Sequence, residues 1–107
     1  LVDATIKGGE LLFNETVIGR TNAADGPVTL GIRPEKIVID DAAMPVTPVY
    51  QEDLGSHRVI VTETADRQRV QISTQLTPPP SFGIRLPTDS VHMFDTRSGR
   101  RIAQIVS

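Results

Sequence analysis

Gly, Pro, Asn and Asp punctuate this chain at roughly ten-residue intervals, and that spacing leaves room for short strands and little else. Between the breaks, apolar and polar side chains alternate, and no window carries a helical period. Leu1–Lys7 sets Val2, Ala4 and Ile6 against Asp3, Thr5 and Lys7. Gly8-Gly9 marks a turn. Glu10–Phe13 and Thr16–Ile18 read as strands around an Asn14-Glu15 turn, and Arg20–Pro27 reads as a polar loop. Val28–Ile32 then places Val28, Leu30 and Ile32 on one face of a strand.

A corner follows. Pro34 lacks an N–H and fixes its own φ, so a central ladder cannot run through it. It also drives Arg33 into an extended conformation. Pro34-Glu35-Lys36 suits one helical turn, with proline at the first position and a carboxylate in the first turn. Ile37-Val38-Ile39 resumes as a strand. The same order of strand, proline, turn and strand recurs from Leu86 to Val91, with a single turn expected over Pro87–Ser90.

Between the corners, Asp40–Met44 reads as a loop and Pro45–Leu54 as a strand whose prolines suit an edge. His57–Thr64 and Gln68–Ser73, joined at Ala65-Asp66, form the clearest hairpin pattern of the chain. Leu76–Ser81 is a stiff polyproline-like connector. Gly83–Leu86, Val91–Phe94 and Arg101–Val106 complete the strands, with Asp95–Gly99 as a loop. The fold class expected is all-β, a small barrel or sandwich with only single-turn helices.

The chain of 107 residues suits one domain of ordinary size, or two very small barrels sharing a core. At 38% hydrophobic residues that core must be thin. Aromatic content of 4% with no Trp argues against a base-stacking platform, and a net charge of −2 offers nothing to nucleic acid or anionic lipid. The absence of Cys excludes disulfides, zinc ribbons and cysteine nucleophiles. No apolar run reaches the ~20 residues of a membrane span, and no signal-peptide pattern is visible. The start on Leu1, without Met and in strand-like sequence, leads us to expect a fragment of a longer chain.

Catalytic patterns are missing. The two lysines, Lys7 and Lys36, follow no glycine-rich phosphate loop, and there is no G-x-S-x-G elbow. His57 and His92 stand alone, His92 turned outward between Val91 and Met93. Asp40-Asp41 faces two ways on an extended chain, which spoils it as an acid/base pair.

Three ordered stretches resemble one family. Thr29–Ile37, with its Gly31-Ile32-Arg33-Pro34-Glu35 core, is similar to a signature of ATP-binding-cassette sugar importers. Val91–Ile102 resembles that family's terminal signature, and Val49–Ser56 resembles the segment preceding its hairpin. The resemblance implies the TOBE region of a maltose- or glycerol-phosphate-type importer ATPase: OB-like small β-barrels, also of the molybdate-binding (MOP) kind, appended to a nucleotide-binding domain. It further implies that residues 1–107 are one non-catalytic regulatory and dimerisation domain, with ATP and Mg bound only in the parent subunit. Homodimerisation through the parent, transporter membrane subunits as partners, and a cytoplasmic place at the inner face of the bacterial plasma membrane are implied as well, with neither nucleic-acid binding nor membrane insertion. The chain departs from the family at the proline-rich Gln75–Phe82 and at Glu52-Asp53.

By position in the family, Arg33, Glu35, Leu54, Gly55, Ser56, His57, Phe94 and Asp95 become candidate regulatory or dimer contacts. Their structural readings stand beside this. Arg33 and Glu35 suit a local ion pair bracing the corner. Leu54–His57 is a turn, Phe94 belongs in the core, and Asp95 with Gly99 shapes a turn. Arg97, Arg100 and Arg101 form a solvated basic cluster. A small oxyanion-binding barrel is the alternative reading, with backbone amides and Ser/Thr as its donors; an OB-like nucleic-acid binder is opposed by charge and composition.

Overall fold

The computed structural model describes residues 1–102 and 105. Nine strands, with one single-turn helix after the fourth and another after the eighth, run along these residues, so the all-β, OB-like expectation holds. The chain divides into two compact units: Leu1–Ile32 with the segment from Leu86 onward, and Arg33–Arg85. It passes between them at Ile32-Arg33 and Arg85-Leu86, next to the two proline corners.

The first unit is a five-stranded antiparallel sheet. Strands β1 (Val2–Lys7), β2 (Glu10–Phe13), β3 (Thr16–Arg20), β4 (Gly26–Gly31) and β9 (His92–Asp95) lie in the order β3-β2-β1-β4-β9. The first hairpin turns at Gly8 and Gly9, with φ of 59° and 79°, the pair of left-handed residues that a two-residue turn needs to follow the strand twist. The second hairpin does the same with Asn14 and Glu15, at φ 52° and 65°. Alternation then sorts the faces. Ala4, Ile6, Leu11, Phe13, Val28 and Leu30 are buried, while Asp3, Thr5, Lys7 and Glu10 are exposed. β4 and β9 pair across more than sixty residues of sequence, Leu30 opposite Met93 and Gly31 opposite His92.

Phe94 corrects the sequence reading. It is only half-buried, and Met93, 1% exposed, takes the core position. Met93 sits opposite Leu30 and faces inward, so Phe94 points to the other face, against Gly31. Of the expected last strand, Arg101 makes one bridge to Phe94, and residues 103, 104 and 106 lie outside the described residues.

The second unit is a four-stranded antiparallel sheet, order β7-β6-β5-β8, from β5 (Val38–Asp53), β6 (Arg58–Glu63), β7 (Arg69–Thr74) and β8 (Phe82–Arg85). The β6–β7 hairpin appears where expected, burying Ile60, Thr62, Val70 and Ile72. The expected loop at Asp40–Met44 is instead part of one 16-residue strand. That strand changes partner along its length: Val38–Val46 pairs with β8, and Thr47–Asp53 with β6. Ile39 and Met44 both face Ile84, so the four residues between them bulge out of the ladder.

The bulge explains Gly83. A Cβ built there would lie 2.5 Å from the Asp40 carbonyl oxygen and 3.1 Å from those of Ala43 and Met44. All three atoms are backbone, so nothing swings aside. Asp40 fixes the bulge further, its Oδ1 accepting from the Ala42 N–H at 3.0 Å and its Oδ2 lying 3.7 Å from Arg85 Nε. The prolines fit the same arrangement. Pro48 opposes Thr62 where the β5–β6 register shifts by one residue before Tyr50, so its missing N–H falls at an irregular point of the ladder.

Gly83→Ala should therefore lower stability by at least about 2 kcal/mol in urea denaturation followed by circular dichroism. Gly31→Ala should cost under about 1 kcal/mol, because the Cβ would meet only the Leu1 and Phe94 side chains, at 3.2 Å. Equal costs would contradict this account of the bulge.

Candidate functional site

The second unit gathers two separate candidate stretches. At the corner, Arg33 is extended (φ −72°, ψ 137°) and Pro34–Lys36 makes one 3-10 turn closed by Lys36 N–H donating to the Arg33 carbonyl at 2.9 Å. This turn packs on β7. The expected ion pair is absent: among the described residues Arg33 and Glu35 do not pair with each other. The backbone bond and the proline ring hold the corner without it.

The Leu54–His57 turn joins β5 to β6. Asp53 Oδ1 accepts the Gly55 N–H at 2.9 Å, Leu54 N–H donates to the His57 carbonyl at 2.9 Å, and Gly55 supplies φ +91°. Asp53 Oδ2 lies 3.6 Å from Arg58 Nη2, anchoring the strand end. Ser56 Oγ and His57 Nδ1 are 3.0 Å apart.

The hairpin register carries these groups together. Arg58 opposes Thr74, so the chain beyond β7 runs back past His57 and Ser56. Glu35 from the corner, Ser56 and His57 from the turn, and Ser73–Leu76 line one open groove of about 630 Å³ floored by Ile37, Val38 and Ile39. Its polar groups are hydroxyls, an amide, an imidazole and a single carboxylate. Among the described residues no Lys or Arg lines it. Such a surface hydrogen-bonds neutral or cationic groups and disfavours anions. Among the described residues no group of three or more His, Asp or Glu could hold a metal ion. Arg33, Leu54 and Gly55 border these turns without lining the groove. Ser73–Leu76 escaped the sequence reading, although the hairpin register between Arg58–Glu63 and Arg69–Thr74 was the signal that places it.

The other two candidates belong to the first unit. Phe94 and Asp95 border a shallow hollow of about 370 Å³ with Leu1, Thr29, Thr96 and Gly99. Asp95 organises its turn as expected. Its Oδ1 accepts the N–H groups of Arg97 and Ser98 at 2.9 Å each, Gly99 N–H donates to its carbonyl at 2.9 Å, and Gly99 supplies φ +71°. The Ser98 and Arg97 amides favour its charged form and hold its carboxyl below the usual aspartate value. Asp66 is held low in the same way by the Thr64 hydroxyl and then the Gln68 amide, in the β6–β7 turn.

These two carboxyls set a pH dependence. A folded-state value below the unfolded one means that stabilisation is complete above the unfolded value, about 3.9, and is lost as pH falls through the folded one. Carboxyl NMR titration should give Asp66 and Asp95 midpoints below 3.8, with no loss of thermal stability from either group between about pH 7 and 5. Midpoints at or above 3.8 would remove the turn assignment.

Comparison with known proteins bears on the whole chain. A family model described as TOBE domain matches residues 30–94, from the first corner through β9. An ABC transporter ATP-binding protein of Mycoplasma pneumoniae is 29% identical over 111 residues, covering 95% of this chain and 19% of the relative. An sn-glycerol-3-phosphate import ATP-binding protein of Agrobacterium fabrum is 36% identical over 99 residues, covering 85% of this chain and 25% of the relative. The chain thus spans only 19% to 25% of the length of the curated relatives it matches.

Proposed function

This chain belongs to the TOBE domain family, and from that premise we propose that it is the non-catalytic accessory region of an ABC importer's ATP-binding subunit. The observation that carries the reading is the pairing of the family match over 30–94 with two relatives that are both named as transporter ATP-binding proteins. The importer takes up sugars or related solutes such as glycerol phosphates, and the region serves regulation and dimerisation rather than hydrolysis. ATP and Mg belong to the parent subunit. That parent works as a homodimer on membrane subunits at the cytoplasmic face. No helix among the described residues is long and apolar enough to cross a membrane.

Within this reading, Glu35, Ser56 and His57, with Arg33, Leu54 and Gly55 beside them, form one contact patch on the second unit. Phe94 and Asp95 form another on the first. The oxyanion-binding alternative gains no support from the groove, which holds Glu35 and, among the described residues, no cation.

The 107-residue chain should hydrolyse no ATP above the buffer rate, and the coding sequence upstream of Leu1 should carry G-x-x-x-x-G-K-[ST] in frame. Hydrolysis by the chain alone contradicts the non-catalytic assignment. An upstream frame without the phosphate loop contradicts the parent.

A further inference from the structure

Strand edges invite pairing with other chains, and folded proteins block them with bulges, prolines, charges or cover. Most edges here are blocked. The corner turn packs on β7, residues Phe82, Gly83 and Ile84 of β8 are buried, Arg101 bridges β9, and β3 meets a bulge and ends in Arg20. The second half of β5 carries Pro48 and a register shift between Pro48 and Tyr50, but beyond them Tyr50–Asp53 holds no proline or bulge and only the charges of Glu52 and Asp53.

Its edge is open for a reason written in the sequence. The ladder to β8 ends at Val46 opposite Phe82. Continued pairing would set Ser81, Pro80 and Pro79 opposite Thr47, Pro48 and Val49, but those prolines have no N–H to donate. β5 runs on to Asp53 paired to β6 alone, and every residue from Val49 to Asp53 is exposed. Antiparallel pairing fixes which groups are left over. Leu54 bonds to His57 across the turn, so Glu52 and Tyr50 also face β6, and the N–H and C=O of Gln51 and Asp53 point to the open side.

Side chains add selectivity. Tyr50 and Val49 are 58% and 46% exposed, and Leu54 is 49% exposed. From Ile37 to His57 the sequence holds Asp40, Asp41, Glu52 and Asp53 and no Lys or Arg. Arg85 answers Asp40 and Arg58 answers Asp53, while Glu52 has no ion pair among the described residues.

We propose that Val49–Asp53 of β5 is a strand-addition site for an extended peptide segment bearing Lys or Arg between apolar residues. The added strand bonds antiparallel to Gln51 and Asp53, lays its apolar side chains against Tyr50 and Val49, and sets a cation beside Glu52. The inference rests on the second unit alone and stands whether or not the transporter reading does.

The test is an NMR titration of the isotope-labelled 107-residue chain with the capped peptide Lys-Val-Lys-Val-Lys-Val, and with Glu-Val-Glu-Val-Glu-Val as its charge-reversed counterpart. The basic peptide should shift Val49–Asp53, saturate by about 1 mM, and slow amide exchange at Gln51 and Asp53 about tenfold or more. Gln51→Pro removes an outward N–H that the fold does not use and should abolish binding with the melting temperature kept. Glu52→Lys, which leaves the backbone intact, should reverse the preference between the two peptides. The proposal is overturned by absent shifts, by binding that survives Gln51→Pro, or by equal binding of both peptides. It is also overturned if Gln51 and Asp53 become protected without peptide as protein concentration rises, which would assign the edge to a second copy of the chain.

Discussion

A long strand that changes partner holds the second unit together. β5 pairs with β8 as far as Val46 and with β6 from Thr47, so two ladders share one backbone. The change depends on close contact. The chain bulges between Ile39 and Met44, and its carbonyls come so near Gly83 that any side chain there would collide with backbone. Removing the hydrogen-bonded ladder on either side would expose Met44, Val46, Ile60 and Ile84, each of which loses about 1.5–3 kcal/mol of burial if fully exposed. A thin core has few other contacts to make up that loss.

The same strand accounts for where function gathers. The end of β5 positions the Leu54–His57 turn, and the register of the β6–β7 hairpin brings Ser73–Leu76 to it. The corner at Pro34 packs against β7 and presents Glu35 to the same groove. Two stretches that are twenty residues apart in sequence therefore meet on one surface. In the first unit, the turn after β9 is built by one carboxylate accepting two backbone amides, with the charged form favoured at neutral pH.

Much of this was legible in the sequence, because the strands are short and their alternation is regular. Glu10–Phe13, the proline corners, their single helical turns and the β6–β7 hairpin all follow from local rules. Phe94 was misplaced by weighing size over alternation: the pattern that turned His92 outward required Phe94 to follow it. Asp40–Met44 looked like a loop because alternation breaks there, yet the break marks a bulge whose partner, Gly83, lies forty residues further on. The groove was half legible. Its corner and turn carried recognisable residues, but Ser73–Leu76 enters only through pairing register, which local sequence does not fix. Arg33 and Glu35 suggested an ion pair by adjacency, whereas a proline corner already satisfied by a backbone bond does not need one.

Hydrogen exchange along β5 tests the partner change most directly. In dilute solution of the chain alone, the amides of Tyr50 and Glu52, bonded to β6, should be protected, while those of Gln51 and Asp53 exchange as fast as loop amides. Equal protection of all four amides, or an inverted pattern, would contradict a strand that leaves β8 at Val46 and runs on with one side open.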